Sequence, residues 1–448
     1  MLARGTAVPS MSTPNHELTQ GLGASSRRDF LKSTTAAVFG GSLGAKLSTA
    51  RGRARRGDPI HIGLVGCGGR GTGAVADALR ADENVRLVAV ADAFGDRLES
   101  ALEALREPFG ERAAVAPERR FIGFGGYEQL LASDVDVVLL ATPPHFRPMH
   151  LRAAIEAGKH VFAEKPAAVD APGVRSVLET TELARAKGLC IVSGLHMRYS
   201  PNVRELMARV HDGAIGRVVA MDAVMYGDGV WMRPRESGMT EMQYQMRNWY
   251  YFTWLSGDFN VEQFIHQYDQ FAWALQGRYP VRCYGTGGRQ SRTGRNHGHI
   301  YDHFSSVFEF EGGARAFATA RHQVGCSSEV RVVISGTHGT ATLTSPRRMR
   351  ITGRKAWQPP RSVETDGHQL EHDAFFASLR AGRVINDGER MAKTTLMAIM
   401  ARMCAYTGKS LTWDEALESR ERLAPAEYGW DAEPPAAVVA IPGVTKFI

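Results

Sequence analysis

A glycine-rich turn between a strand and a helix constrains this chain more than any other feature. Ile60-His61-Ile62-Gly63-Leu64-Val65 is a short β-rich run that leads into Gly66-Cys67-Gly68-Gly69-Arg70-Gly71. A helical pattern through Ala74, Val75, Ala78 and Leu79 follows. GxGxxG alone is a weak signal, but between a strand and a helix it specifies a turn that holds a diphosphate. Gly66 permits the tight turn, Gly68 lets the backbone approach a pyrophosphate, and Gly71 lets the helix pack close to the strand. Gly69 and Arg70 complete the loop, and the anion rests on the N–H groups and dipole of the helix N-terminus.

The alternation continues. A second strand over residues 86–91 ends in Asp92. An acid there accepts hydrogen bonds from the adenosine ribose and repels a 2′-phosphate. NAD is therefore the expected cofactor, with NADP left open by the nearby Arg97. Residues 120–123 make a short third strand. Residues 136–141 are a nearly continuous apolar run, as a parallel strand buried on both faces requires. That run ends in Thr142-Pro143-Pro144-His145, at the carboxyl edge where open α/β sheets bind ligands. Thr142, Pro143 and His145 are accordingly read as cofactor contacts. A helix over 148–158, a strand at His160-Val161-Phe162-Ala163 running into Glu164-Lys165-Pro166, a helix over 171–187 and a strand over 189–194 follow. Six strands with helices between most of them predict a Rossmann doubly wound parallel sheet over residues 59–194.

GxGxxG, the Thr-Pro-Pro-His strand end and Glu164-Lys165-Pro166, in this order and spacing, resemble the Gfo/Idh/MocA oxidoreductase family over roughly residues 59–420. The resemblance implies an NAD(P)-dependent enzyme acting on a sugar, inositol or related polyol. It places Lys165 beside nicotinamide and substrate, with Glu164 among the cofactor contacts. The physical task of Lys165 is then to hydrogen-bond the reacting oxygen and stabilise developing charge.

From His196 the pattern changes. Leu195-His196-Met197-Arg198-Tyr199-Ser200-Pro201 resembles the family segment that leaves the nucleotide domain, and Arg198 and Tyr199 are read as sugar-binding groups. A helix over 202–211 precedes strand-like runs at 218–226, 281–287, 301–310, 314–321, 330–335 and 340–343. Together these predict a C-terminal α/β domain, 195–424, with an open, predominantly antiparallel sheet. An aromatic insert around Arg247-Asn248-Trp249-Tyr250-Tyr251 suits stacking on a sugar face, with Trp249 the chosen contact. A helix expected from about 261 to 275 puts Glu262 and His266 one turn apart. The family has an Asp four residues before a His here, and the pair transfers the substrate proton; Glu262 takes the place of that Asp, and Asp269 is an alternative partner. His299, Tyr301 and His303 alternate onto one face of an expected strand. Tyr301 and His303 are read as substrate-facing rather than metal-binding, because the family is generally metal-free. Residues from Pro425 onward form a tail in which no chemistry is expected.

Residues 1–57 hold nine Lys/Arg and two acids, so the net charge of +7 resides there; the remaining 45 basic and 45 acidic residues cancel. A nucleic-acid partner is thereby excluded. Ser26-Arg27-Arg28-Asp29-Phe30-Leu31-Lys32, a mild apolar run and Ser48-Thr49-Ala50 match a twin-arginine export signal over residues 1–50. A basic linker, 51–58, separates it from the folded body. The expectation is delivery to the periplasm, or export otherwise, by the twin-arginine translocase, which moves folded and cofactor-loaded proteins. No stretch reaches the roughly 18 apolar residues of a membrane span. Five dispersed cysteines argue for buried thiols rather than disulfides or zinc. The family resemblance leans towards a homo-oligomer.

The expected reaction is hydride transfer between a sugar or polyol carbon and nicotinamide, with Lys165 polarising, His266 exchanging the proton and Glu262 supporting it. Two alternatives remain at this stage. One is an NAD-dependent glycosidase that passes through a 3-keto sugar and recycles its cofactor, as some relatives do. The other is an exported sugar-binding protein without activity.

Overall fold

The computed structural model describes residues 57–360 and 366–448. The expected export signal and the linker up to residue 56 lie outside them. Strand β1 (Ile60–Val65) runs through the middle of a six-stranded parallel sheet, between β2 (Val85–Asp92) and β4 (Val137–Leu140). With β3 (Arg120–Ile122), β5 (His160–Ala163) and β6 (Ile191–Ser193) the order is β3-β2-β1-β4-β5-β6. Every residue of the Val-Val-Leu-Leu run in β4 is buried, as two covered faces demand. Helices α1 (Gly69–Ala81), α2 (Gly95–Phe109), α3 (Gly126–Ala132), α4 (Arg147–Glu156) and α5 (Ala171–Ala186) make the crossovers. Strand order reverses between β1 and β4, and that switch point opens a crevice at the carboxyl edge.

Helix α6 (Pro201–His211) leads into the second sheet. Its strands are β7 (Val218–Gly227), β8 (Arg282–Gly288), β9 (His303–Glu309), β10 (Arg315–His322), β11 (Glu329–Gly336), β12 (Gly339–Ser345), β13 (Arg348–Gly353) and β14 (Leu411–Thr412). The order is β13-β12-β11-β7-β10-β9-β8-β14, antiparallel except for the β7–β10 pair. The last two strands by sequence position, β13 and β14, are additions to the expected set. Between β7 and β8 the chain forms α7 (Glu241–Arg247), α8 (Thr253–Ser256), α9 (Phe259–Glu262) and α10 (Ile265–Ala274). It then returns through α11 (Gly367–Ala381), α12 (Gly388–Thr407) and α13 (Trp413–Glu418).

The return carries more than a sheet cover. Phe375, Phe376 and Leu379 of α11 belong to the apolar core of the first domain. Helix α12 is buried on nearly all sides and packs between β8 and α5, so one helix ties both sheets together. The two lobes therefore share a core, although their sequences alternate in different ways. The tail is also built in. Ser419 Oγ and Arg420 N donate to the Ile448 carbonyl, and Gly443 N donates to that of Thr407. All five thiols are free, four of them buried. Among the described residues no helix is long and apolar enough to cross a membrane.

The contact of β1 with α1 makes a direct prediction. A Cβ on Gly71 would lie 1.9 Å from the carbonyl oxygen of Gly66, a backbone atom that cannot rotate away; one on Gly69 meets nothing within 4 Å. Gly71→Ala is expected to lose about 3 kcal/mol by forced separation of helix and strand. Gly69→Ala is expected to be neutral or slightly stabilising. Urea unfolding followed by circular dichroism checks the pair, and equal midpoints would refute the close-packing argument.

Candidate active site

The crevice is a cavity of about 470 Å³ whose floor is the glycine turn. Gly66 has φ +100°, and a Cβ there would sit 2.6 Å from the backbone of Ala141 and Thr142, so the turn is pressed against the end of β4. Gly68 caps α1 without a side-chain partner, and the first turn of α1 holds no acid. In front of it the space is open, since a Cβ on Gly68 would meet only the Arg97 guanidinium, at 3.5 Å. An open helix N-terminus with glycine at its mouth fits a diphosphate.

Asp92 closes the adjoining loops. Its Oδ2 accepts from Cys67 N (2.6 Å) and its Oδ1 from Phe94 N (2.9 Å), while burial raises the carboxyl above its ordinary range. Each oxygen keeps one lone pair for a ribose hydroxyl. Thr142 and Pro143 line the same cavity. Buried Arg147 holds that strand end from below, donating to the Leu140 carbonyl (3.0 Å) and the Thr142 carbonyl (2.7 Å). The cavity roof comes from the second domain, through Trp231, Arg233 and Trp249. Trp249 thus lines this crevice together with the glycine turn. Trp231, Arg233, Phe94 and Phe124 were not legible as site residues, because they lie in irregular loops without periodicity.

His145 does not point freely into the crevice. Its Nε2 is 2.7 Å from the hydroxyl of Tyr428 in the tail, and its ring stands edge-on to Trp254 at 4.9 Å. Burial lowers its basicity to about 4. Glu164 also turns inward: it accepts from Arg70 Nε at 2.7 Å, which fastens α1 to the end of β5. Beside it Glu371 is fully buried, and burial together with the Glu164 charge raises it well above the usual carboxyl range.

Lys165 is the hub of the second half of the site. Its Nζ donates to Glu262 Oε1 (2.7 Å) and to the Glu262 carbonyl (2.6 Å). The expected single helix through Glu262 and His266 is broken here. α9 ends at Glu262, residues 263 and 264 form a turn, and α10 starts at Ile265. The i,i+4 facing argument therefore fails, and Glu262 serves Lys165 rather than His266. The His266 ring packs edge-on against His196 at 4.7 Å, and its buried Nδ1 has no partner. Burial, then the charges of His196 and Lys165, lower its basicity well below the ordinary value, so the imidazole is neutral. Asp269, the other carboxylate considered, is taken by Arg198.

Four residues expected near substrate are placed otherwise. Arg198 forms a fork with Asp269 (2.7 and 2.8 Å) and lies 4.3 Å above the Trp273 ring, which commits its guanidinium to helix packing. Tyr199 donates to Asp387 Oδ2 at 2.9 Å. Tyr301 is buried, donates to the Ala440 carbonyl and precedes β9, so the expected alternation does not reach it. His303 pairs with Asp302 at 2.8 Å at the start of β9. Among the described residues no group of three or more His, Cys, Asp or Glu is arranged to hold a metal.

Comparison with known proteins gives this geometry a family. The model of the oxidoreductase family with an NAD-binding Rossmann fold matches residues 60–195, and that of the GFO/IDH/MocA C-terminal domain matches 203–342. An inositol 2-dehydrogenase from Rhizobium meliloti is 26% identical over 343 residues, 73% of this chain and 92% of the relative. D-glucoside 3-dehydrogenase from Escherichia coli is 31% identical over 37% of this chain and 43% of its own. In fold, an aldose-aldose oxidoreductase from Caulobacter crescentus superposes with a TM-score of 0.62 at 20% identity, covering 79% of this chain and 99% of that one. The chain belongs to the Gfo/Idh/MocA family of oxidoreductases with an NAD-binding Rossmann domain.

Proposed function

We propose that this enzyme interconverts a secondary alcohol and a ketone on a sugar, inositol or related polyol. The carrying observation is the Lys165–Glu262 pair, at 2.7 Å, next along the chain to Glu164, whose partner Arg70 lines the glycine-floored crevice, with His266 close enough for the Lys165 charge to lower its basicity. The names of the inositol and glucoside dehydrogenases among the relatives support a cyclic polyhydroxy substrate.

Gly66, Gly68, Gly69 and Asp92 are the residues that would hold the dinucleotide, and when bound it supplies the acceptor or donor of a hydride at nicotinamide. Lys165 has three protons on Nζ and spends two on Glu262, which leaves one for the substrate oxygen. Glu262 fixes the direction of that donor. His266, neutral and with its Nδ1 shut away, takes or returns the hydroxyl proton at Nε2. The Ser26–Lys32 motif supports a further reading: the folded enzyme leaves the cytoplasm by the twin-arginine route with its cofactor already loaded.

The test is to purify the chain without residues 1–50, identify any bound nucleotide by mass spectrometry, and assay a panel of inositols and free sugars for cofactor reduction. NAD binding with reduced cofactor formed from a polyol is expected. Aglycone release from glycosides without net reduction would replace this reading with the recycling glycosidase. Failure to bind NAD or NADP would remove the enzymatic reading.

A further inference from the structure

The tail, which carries no motif, reaches two of the loops that line the nucleotide crevice. The Trp430 ring lies 4.9 Å from that of Phe94 and 4.7 Å from that of Phe124. Those two phenylalanines sit in the loops after β2 and β3, and both line the crevice beyond Asp92. One indole, more than 300 positions further along the chain, thus touches both loops at the adenosine end.

The contact is anchored on each side. Thr240, the N-cap of α7, donates its hydroxyl to the Trp430 carbonyl at 2.7 Å while accepting from Gln243 N. At the other end of α7, Arg247 lies 4.1 Å above the Phe94 ring and forks onto Asp96. Two residues before the indole, Tyr428 bonds to His145 and stands 6.0 Å from Phe124. Phe94 is therefore held between a cation from the second domain and an indole from the tail. Phe94 and Phe124 are only partly buried. Without those neighbours the two loops would rest on few apolar contacts, the condition under which loops open locally.

We propose that Trp430 is a positioning residue for the dinucleotide: the tail sets the spacing of the Phe94 and Phe124 loops, and this spacing shapes the pocket for the adenosine half. The proposal rests on nicotinamide dinucleotide binding at this crevice. It assigns the tail to cofactor affinity rather than to chemistry, and a readout that a merely structural role would not move separates the two.

Isothermal titration calorimetry with NAD, ADP and nicotinamide mononucleotide provides it. Trp430→Ala is expected to weaken NAD and ADP by about tenfold each, the size of one or two ring pairs, and to leave nicotinamide mononucleotide unchanged. Trp430→Phe should recover most of the loss. In steady state the KM for NAD should rise while kcat at saturating NAD stays the same. A folded Trp430→Ala protein that binds NAD and ADP like the wild type overturns the proposal. Should Trp430→Ala not fold, the series Trp430→Tyr, Trp430→Phe and Trp430→Leu decides, and affinities that fail to fall with ring size overturn it equally. If the wild type binds NAD and the variants bind it equally well, the proposal alone fails; if the wild type binds neither NAD nor ADP, the oxidoreductase reading falls and takes the proposal with it.

Discussion

Lys165→Met is expected to lower kcat by about two to three orders of magnitude, the usual cost of removing one preorganised donor to a developing oxyanion. Methionine keeps the length and apolar stem of the side chain and deletes the charge. The dissociation constant for NAD should stay within about threefold of the wild type, since the groups proposed to hold its diphosphate and ribose are the glycine turn and Asp92. The variant has a second consequence that must be separated from the first. Lys165 and Glu262 are a pair with little solvent around them, so removing the lysine strands a carboxylate. The double variant Lys165→Met/Glu262→Gln resolves this. If the loss came from the stranded charge, the double variant would regain activity. If it came from the missing donor, kcat stays low while thermal stability recovers. A single variant with kcat within tenfold of the wild type would remove Lys165 from the chemistry.

The legible part of this molecule is where local pattern and tertiary role coincide. The buried run in β4 reads as a parallel strand because both its faces are covered, and the glycine turn reads as a cradle because Gly66 and Gly71 each have a separate steric reason. Glu262 and His266 show where the reading stops. Their spacing is that of one helical turn, yet the helix is interrupted just between them. The short α9 that precedes the interruption starts from Asp258, its N-cap, a non-glycine residue with φ +78°. Its carboxylate accepts from Phe259 N, Tyr301 N and the Tyr406 hydroxyl, and burial raises it to about 6. Those partners come from segments up to about 150 positions away, so no local periodicity announces the break. Arg198 and Tyr199 look like substrate groups in the sequence for a related reason. A polar side chain next to a domain junction looks available until its carboxylate partner, Asp269 or Asp387, is brought in by the fold. Trp430 is the reverse case: it lies in a Pro-rich and Ala-rich stretch that looks like a tail, and only the contacts to Phe94 and Phe124 give it a place.

The stability of the folded body should collapse in mild acid, because many of its histidines are buried as neutral rings. His150, His196, His322 and His372 are lowered to about 3 and His145 and His299 to about 4, burial being the first cause in each. An unfolded histidine takes its proton near pH 6.5. Above that value neither state is protonated and stability is level. As pH falls below it, the unfolded chain gains protons that the folded chain refuses until about pH 3 to 4, so the balance shifts towards unfolding. Asp258, raised to about 6, acts in the opposite sense and returns about one proton to the folded side over the same range. With six groups against one, stability should fall by roughly 6 kcal/mol for each pH unit between about pH 5.5 and 4. A margin of about 5–15 kcal/mol is exhausted within that span. Urea midpoints measured from pH 7.5 to pH 4 provide the check, and a midpoint at pH 4.5 equal to that at pH 7.5 would refute it. His372 offers an internal control: neither ring nitrogen has a partner, and the ring lies 4.2 Å from Phe162. His372→Phe removes one proton from the difference without stranding a donor, so it should flatten the acid limb by about a fifth and leave the neutral-pH midpoint nearly unchanged.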